Sequence, residues 1–192
     1  MTVGESAPTD AIGFFTVVEH EQQGLIGAYL ILNSSGRPLE FHCTAPVKPT
    51  RTQQILFGPT LDSYLVGEQI GQTLLASASA QPLALCTDVE RGLLVREYTT
   101  LPIALVMPAA AQPSPEAVSP ADQTWRVDVS HGSSTPLSVF EVGRNRLAVP
   151  GARKEDQELL AARLQPVLAL DLCEPFGRIR EAIAEANHSI RT

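Results

Sequence analysis

The first quarter of the chain alternates apolar runs with short polar breaks, as expected of consecutive β-strands. Residues 13–19 are rich in aromatic and β-branched side chains. Residues 25–32 are apolar on both alternating faces, which is typical of an interior strand covered on two sides. A polar turn at 33–36 separates this run from a third strand at 38–44. The pattern predicts an antiparallel hairpin with 25–32 as the central strand of a sheet.

Strand geometry sorts the side chains of the third segment into two sets, because successive residues point to opposite faces of a sheet. Leu39, Phe41 and Cys43 fall on one face, and Glu40 and His42 fall on the other. We expect the first set to face the core and the second set to face solvent.

Helical spacing replaces the strand pattern after Pro46 and Pro49. It covers residues 50–57, is interrupted by Gly58 and Pro59, and resumes over 61–79. The proline-punctuated exit from the third strand fixes the direction of the chain as it enters the helix.

Gly67 and Gly71 lie one turn apart in the second helical segment. Each glycine costs about 1 kcal/mol relative to alanine in a helix. We therefore expect another segment of backbone to pack closely against this part of the helix.

Three short apolar runs at 83–87, 92–98 and 102–107 follow the helices. Polar breaks separate them, which predicts an antiparallel meander of three strands.

Prolines and small residues dominate 109–123, which predicts a linker or a long loop. We also predict a flexible N-terminus over residues 1–12. The chain then divides into a core domain at 13–108 and, after the linker, a C-terminal part at 124–192, which we expect to pack on the core domain.

The C-terminal part has its own pattern of elements. Alternating apolar residues predict a strand at 124–130 and further strand at 136–142 and 146–149. Helical spacing of the apolar residues predicts helices at 155–170 and 175–186. Pro166 should kink or break the first helix. The second is amphipathic, with Phe176, Ile179 and Ile183 on its apolar face.

The predicted fold class is α+β, with a mainly antiparallel sheet and helices packed on it. Its order is β-β-β-α-β-β-β, then the linker, then β-β-α-α. The element order of the first part is similar to that of longin, roadblock or PAS-like modules. That resemblance implies a sheet that carries its helices on one face.

Composition narrows the choice of partners. The chain has 14 basic and 21 acidic residues, a formal net charge of -7 and only 5% aromatic residues, which makes a nucleic acid an unlikely partner. The densest cluster of basic residues consists of Arg144, Arg146, Arg153 and Lys154, and acidic residues follow it directly in the sequence. We find no apolar run long enough to span a membrane and no export signal, so we expect a cytoplasmic protein without a membrane partner.

The three cysteines are far apart and odd in number, which predicts neither a disulfide framework nor a structural zinc site. The four histidines have no paired spacing, and no nucleotide-binding motif occurs. We therefore expect no cofactor and no metal ion.

Three places carry residues that are capable of chemistry. His42 and Cys43 are adjacent, but strand alternation turns them to opposite faces, which disfavours a nucleophile–base pair. Asp88 and Glu90 follow the strand at 83–87 and are a candidate carboxylate pair. The segment 131–135 has the glycine and hydroxyl content of a phosphate-binding turn, but not the spacing of the motif.

These observations favour a non-catalytic cytosolic interaction or assembly module that docks a protein partner or a second copy of itself. The candidate interaction residues are Phe57, Phe176, Ile179 and Ile183. One alternative is a small transferase or hydrolase that uses Cys43 with a histidine from another segment. A second alternative is a small-ligand sensor.

Overall fold

Seven strands form one sheet in the computed structural model, which describes residues 10–20, 23–108 and 136–189. Their order across the sheet is β3-β2-β1-β4-β5-β7-β6. The strands are β1 (Ile12–His20), β2 (Gly24–Leu32), β3 (Pro38–Cys43), β4 (Ala84–Thr87), β5 (Ile103–Met107), β6 (Leu137–Val142) and β7 (Asn145–Pro150). Neighbouring strands are antiparallel except for the parallel pairs β1–β4 and β4–β5. The mainly antiparallel sheet of the sequence prediction is confirmed.

Helical segments connect the strands and cover the sheet. The α-type segments are α1 (Arg51–Phe57), α2 (π-helical Ser63–Gln72 continued by α-helical Thr73–Ser77), α3 (Glu155–Arg163) and α4 (Glu174–Ser189). The 3-10 segments are Gly58–Thr60, Glu90–Glu97, Gly151–Arg153 and Gln165–Val167. The break predicted at Pro166 is present, because α3 ends before the 3-10 segment that contains this proline.

Each face of the sheet carries its own apolar core. On one side, which we call the α4 face, Phe14 and Leu30 pack with side chains of α3 and α4. On the other side, the α2 face, Phe15 and Tyr29 pack with α2 and the 3-10 helix Glu90–Glu97. The chain is therefore a three-layer sandwich, with helices on both faces of the sheet rather than on one face as the resemblance to longin-like modules implied.

All but the last residue of the segment predicted as a strand at 92–98 lies in the 3-10 helix Glu90–Glu97, so the predicted meander is wrong. Short apolar runs fit a buried strand and a buried helix equally well, and here Leu93 and Val95 are buried against α2. Strands β4 and β5 are parallel, and parallel strands need a crossover connection, which this helix supplies.

The close packing predicted at the two helix glycines is present. The 3-10 helix Glu90–Glu97 lies against α2, and a Cβ atom at Gly67 would be 3.2 Å from the carbonyl oxygen of Leu94. A Cβ atom at Gly71 would be 2.5 Å from a methyl carbon of Val95. The missing side chains therefore let the crossover helix pack directly on the backbone of α2.

The C-terminal strands are confirmed at β6 and β7, and β7 pairs with β5 within the same sheet. The predicted linker at 109–123, the strand at 124–130 and the turn at 131–135 lie outside the described residues. Most of the N-terminal segment 1–12 also lies outside them.

A buried ion pair joins the two helical layers. The guanidinium of Arg96 donates hydrogen bonds to both carboxylate oxygens of Asp156, at 2.7 and 3.0 Å, and to the carbonyl oxygen of Thr99 at 2.7 Å. The Asp156 side chain is only 1% exposed. The pair ties the crossover helix on the α2 face to the first turn of α3 on the α4 face.

We predict that Asp156→Ala lowers the free energy of unfolding by about 3–5 kcal/mol, because it leaves the Arg96 charge without a partner in a largely buried place. Urea denaturation followed by circular dichroism measures the loss. The matched control is the double variant Arg96→Met/Asp156→Leu, which removes both charges and should cost much less. A loss of unfolding free energy below about 1 kcal/mol for Asp156→Ala would contradict this prediction, because it would mean that water solvates the Arg96 charge once Asp156 is removed.

Candidate interaction surface

The sheet is wider than the helical layer on its α4 face. Helix α4 lies over β1 and β2, and α3 lies over β5 and β7. Seven strands span about 29 Å at roughly 4.8 Å per spacing, whereas two packed helices cover about 20 Å. Strand β3 is therefore left largely beyond the helices, whereas β6 still contributes Phe140 and Val142 to the α4-face core.

Phe41 and Cys43 lie on the α4 face, opposite Leu30 and Ala28 of its core. Together with the neighbouring Leu39, we call them the edge surface. Leu39 is 41% exposed and Phe41 is 40% exposed. Cys43 is also exposed. The prediction that this set faces the core is wrong. The alternation holds from Glu40 to Cys43, because Phe41 pairs with Leu30 of the α4-face core. Helix α4 only borders β3, however, and leaves this set partly exposed.

The opposite face of β3 holds a hydrogen-bonded acid and base. The carboxylate of Glu40 contacts Nε2 of His42 at 2.9 Å and accepts backbone N–H groups from Ser79 at 3.0 Å and Ala80 at 2.6 Å. The hydrogen bond with His42, followed by the two backbone bonds, lowers the pKa of Glu40. Both side chains are partly buried, whereas the prediction directed them toward solvent. The imidazole of His42 is directed to Glu40, on the other face of the strand from Cys43.

The main chain of β3 presents free hydrogen-bonding groups. The N–H of Thr44 bonds to the carbonyl oxygen of Gly27, which fixes the phase of the β2–β3 ladder. In an antiparallel pair the bonded residues alternate, so Glu40 and His42 bond to β2. The N–H and C=O groups of Phe41 and Cys43 then point away from β2. Within the described ranges, no strand lies on the outer side of β3.

A small apolar cavity adjoins the edge surface. It has a volume of about 160 Å³ and is lined by Leu30, Pro38, Phe41, Arg178, Ile179 and Ala182. Sites for drug-sized ligands usually measure about 300–1,000 Å³. The dimensions of this cavity give no support to the small-ligand sensor.

The apolar face of α4 packs within the chain. Phe176, Ile179 and Ile183 are 2%, 1% and 6% exposed, and the ring of Phe176 contacts Phe14 edge-to-face with centroids 5.6 Å apart. These three predicted interaction residues therefore contribute to the core and offer little surface to a partner in this conformation. Amphipathic spacing predicts a buried face, but not which surface buries it.

Helix α1 exposes a second apolar patch, which sequence reasoning did not single out. Ile55 is 65% exposed and Leu56 is 77% exposed, and no residue of α1 is buried. Phe57, a predicted interaction residue, stacks on Tyr64 with ring centroids 4.0 Å apart. The sequence does carry a signal for this patch, because residues 55–57 are apolar and the preceding turn, residues 51–54, is polar.

Asp88 joins three elements. One carboxylate oxygen accepts a hydrogen bond from Oγ1 of the buried Thr16 at 2.7 Å, and the other pairs with Arg180 of α4. Both oxygens are therefore engaged in contacts that hold β1, α4 and the end of β4 together. This arrangement favours a structural role for Asp88 over the carboxylate pair with Glu90.

The remaining thiols lie in less reactive surroundings. Cys86 is buried in the α4-face core, and burial raises its pKa to about 12. Partial burial, followed by the charges of Asp171 and Asp88, also raises the pKa of Cys173. Among the described side chains, no group of three or more His, Cys, Asp or Glu residues is placed to hold a metal ion.

No known protein family matches the chain, and no curated protein is significantly similar to it. Within the described part of the chain, no helix has both the length and the apolar character needed to cross a membrane.

We predict that Asp88→Ala lowers the free energy of unfolding by about 1–3 kcal/mol, because it removes the acceptors of Thr16 and Arg180. Urea denaturation of the full chain measures this change. The control is Glu19→Gln, which weakens the exposed ion pair of Glu19 with Arg91 and should cost less than about 1 kcal/mol. Equal losses for the two variants would contradict the structural role of Asp88.

We also predict that the stabilisation supplied by Glu40 depends on pH. Its folded-state pKa lies below the ordinary value of 4.5, so the carboxylate stabilises the fold above that pH. The stabilisation should be lost as the pH falls through the lowered folded-state pKa. Denaturation of the native chain and of Glu40→Gln should thus give a stability difference that is constant near neutral pH and shrinks below about pH 4.5. A difference that grows on acidification would contradict this.

Proposed function

We propose that the protein is a cytosolic, non-catalytic assembly module that binds an extended strand of a protein partner along the free edge of β3. The observation that carries the proposal is the outward-facing main chain of Phe41 and Cys43 beside exposed apolar side chains on the same strand. Strand addition to a sheet edge takes its affinity from main-chain hydrogen bonds and its specificity from alternate side chains.

The composition of β3 supports an edge that is used rather than protected. Proteins commonly blunt exposed edges with lysine, proline or a bulge. Strand β3 has Pro38 and an irregularity opposite Leu32 at its beginning. The stretch from Glu40 to Cys43 has neither device and exposes an aromatic ring at Phe41. The second half of the strand is therefore open to pairing.

The exposed side chains of helix α1 favour a partner that also contacts the connection after β3. The helix has seven residues and no buried side chain, although Thr50 and Gln53 form a capping box at its start. Isolated helices shorter than about 12–15 residues are marginal in water. Contact of Ile55 and Leu56 with a partner would bury their exposed surface and stabilise the helix.

The enzyme alternative has less support. Cys43 is exposed, but the adjacent imidazole is engaged by Glu40 on the opposite face of the strand. Exposure alone would make Cys43 alkylate faster than the buried Cys86, so rapid alkylation is not a sign of catalysis. The free thiols of all three cysteines suit the reducing cytosol that the proposal assumes.

Photo-crosslinking in cells tests the proposal whatever protein the partner is. Photoreactive benzoylphenylalanine at position 41 should give a discrete protein adduct. The same residue at position 139 is the control, because Val139 is 44% exposed on the opposite edge strand and should give no such adduct. The added change Cys43→Pro removes an outward N–H but no bond to β2, and should abolish the adduct.

Two results would count against this function. If positions 41 and 139 give the same adducts, or if position 41 gives none, β3 is not a docking edge. If Cys43→Pro leaves the adduct unchanged in a folded chain, the contact at β3 does not use main-chain pairing.

A further inference from the structure

We infer that the strand bound by β3 is β3 of a second copy of this chain, paired antiparallel about a twofold axis that passes beside Phe41. This inference rests on the proposed function, because it identifies the occupant of the same edge. It follows from the phase of the β3 ladder and from the order of charges along the strand.

The phase of the ladder limits the possible registers. The β2–β3 ladder is regular from Glu40 to Cys43, and in this stretch the odd-numbered residues direct their main-chain groups away from β2. These residues must pair with odd-numbered residues of the second copy. A twofold axis within this stretch can therefore lie beside Glu40, Phe41, His42 or Cys43. Of these, Phe41 and His42 are farthest from the ends of the regular stretch and keep the most residues paired.

The charges favour the axis beside Phe41. In that register Glu40 of each copy lies opposite His42 of the other, so acid faces base twice. An axis beside Glu40 would set the two carboxylates against each other, and an axis beside His42 would do the same for the imidazoles. Like charges directly opposite each other destabilise a strand pair, and opposite charges stabilise it.

The geometry of the two kinds of antiparallel pair strengthens this choice. With the axis beside Phe41, the two Phe41 residues form a hydrogen-bonded pair, because their main-chain groups point outward. Glu40 of each copy then forms a non-hydrogen-bonded pair with His42 of the other copy, and the Cα atoms of such a pair are only about 4.5 Å apart. The acidic and basic side chains therefore meet at the closer of the two spacings.

The same register matches the apolar side chains. Phe41 lies beside Phe41 of the second copy, and aromatic cross-strand pairs are favourable. Cys43 lies toward Leu39 of the second copy. Because the axis is perpendicular to the sheet, the α4 faces of both copies lie on the same side, and the edge surface of each copy covers that of the other. The interface is isologous and closes at two copies.

The paired segment is short, which sets the expected strength. Within the regular stretch 40–43 only residues 40–42 of each copy pair, and such a contact falls below the roughly 1,200 Å² of stable interfaces. We therefore expect a reversible dimer with a dissociation constant in the micromolar range or weaker, seen only as concentration rises.

Sedimentation velocity of the full chain, from about 1 μM to about 1 mM, measures this equilibrium. The native chain should pass from monomer to dimer. Phe41→Lys should remain a monomer because it places a charge at the axis, whereas the control Val139→Lys on β6 should dimerise like the native chain.

Charge variants test the register. Glu40→Lys and His42→Glu should each weaken the dimer at least tenfold, because each sets like charges opposite one another. An equimolar mixture of the two variants should form a heterodimer. In it, the introduced lysine of the first variant faces the introduced glutamate of the second, and the retained His42 of the first faces the retained Glu40 of the second. The mixture separates an effect between chains from the loss of the Glu40–His42 contact within one chain. Circular dichroism confirms that each variant is folded.

Several outcomes would overturn the inference. They are a native chain that stays monomeric at all concentrations, a dimer that Val139→Lys disrupts and Phe41→Lys does not, or a mixture that associates no better than its components. The proposed function fails separately. An adduct at position 41 with a different protein would retain the docking edge and reject the second copy. A chain that stays monomeric at all concentrations and also gives no adduct at position 41 would reject both.

Discussion

The mismatch between a seven-stranded sheet and two-helix layers determines what this molecule can bury and what it must expose. A sheet of this width needs about three helices to cover a face, and α3 and α4 leave the β3 edge of the α4 face largely uncovered. Strands β1 and β2 are apolar on both faces because helices cover both. Strand β3 instead alternates apolar and polar residues and is only bordered by α4, so its apolar set forms a surface instead of a core.

Polar contacts hold the layers in register around this core. Asp156 and Arg96 join the two helical layers, and Asp88 joins β1 to α4. Glu40 fixes the end of the α2 segment to β3 through two backbone N–H groups. Glu40 therefore anchors the edge strand on one face, and in the dimer that we propose it also supplies the charge that selects the pairing register.

Local pattern in the sequence predicted the elements whose environment is set by near neighbours. It gave the hairpin of β2 and β3, the break at Pro166 and the amphipathic α4. It did not predict the parallel pairs β1–β4 and β4–β5, because the hydrophobic run in Glu90–Glu97 suits a strand as well as a helix. Nor did it predict that Cys43 is exposed. Alternation tells which residues share a face, but the position of a strand within the sheet decides whether that face is covered.

The most direct measurement of the central claim is amide hydrogen exchange along β3, followed residue by residue by nuclear magnetic resonance. At low concentration, the amides of Glu40 and His42 should be protected by β2, and those of Phe41 and Cys43 should exchange rapidly. As concentration rises, the two outward amides should become protected as well. Equal protection of all four at low concentration, or fast exchange of Phe41 and Cys43 at every concentration with no partner that slows it, would contradict the account.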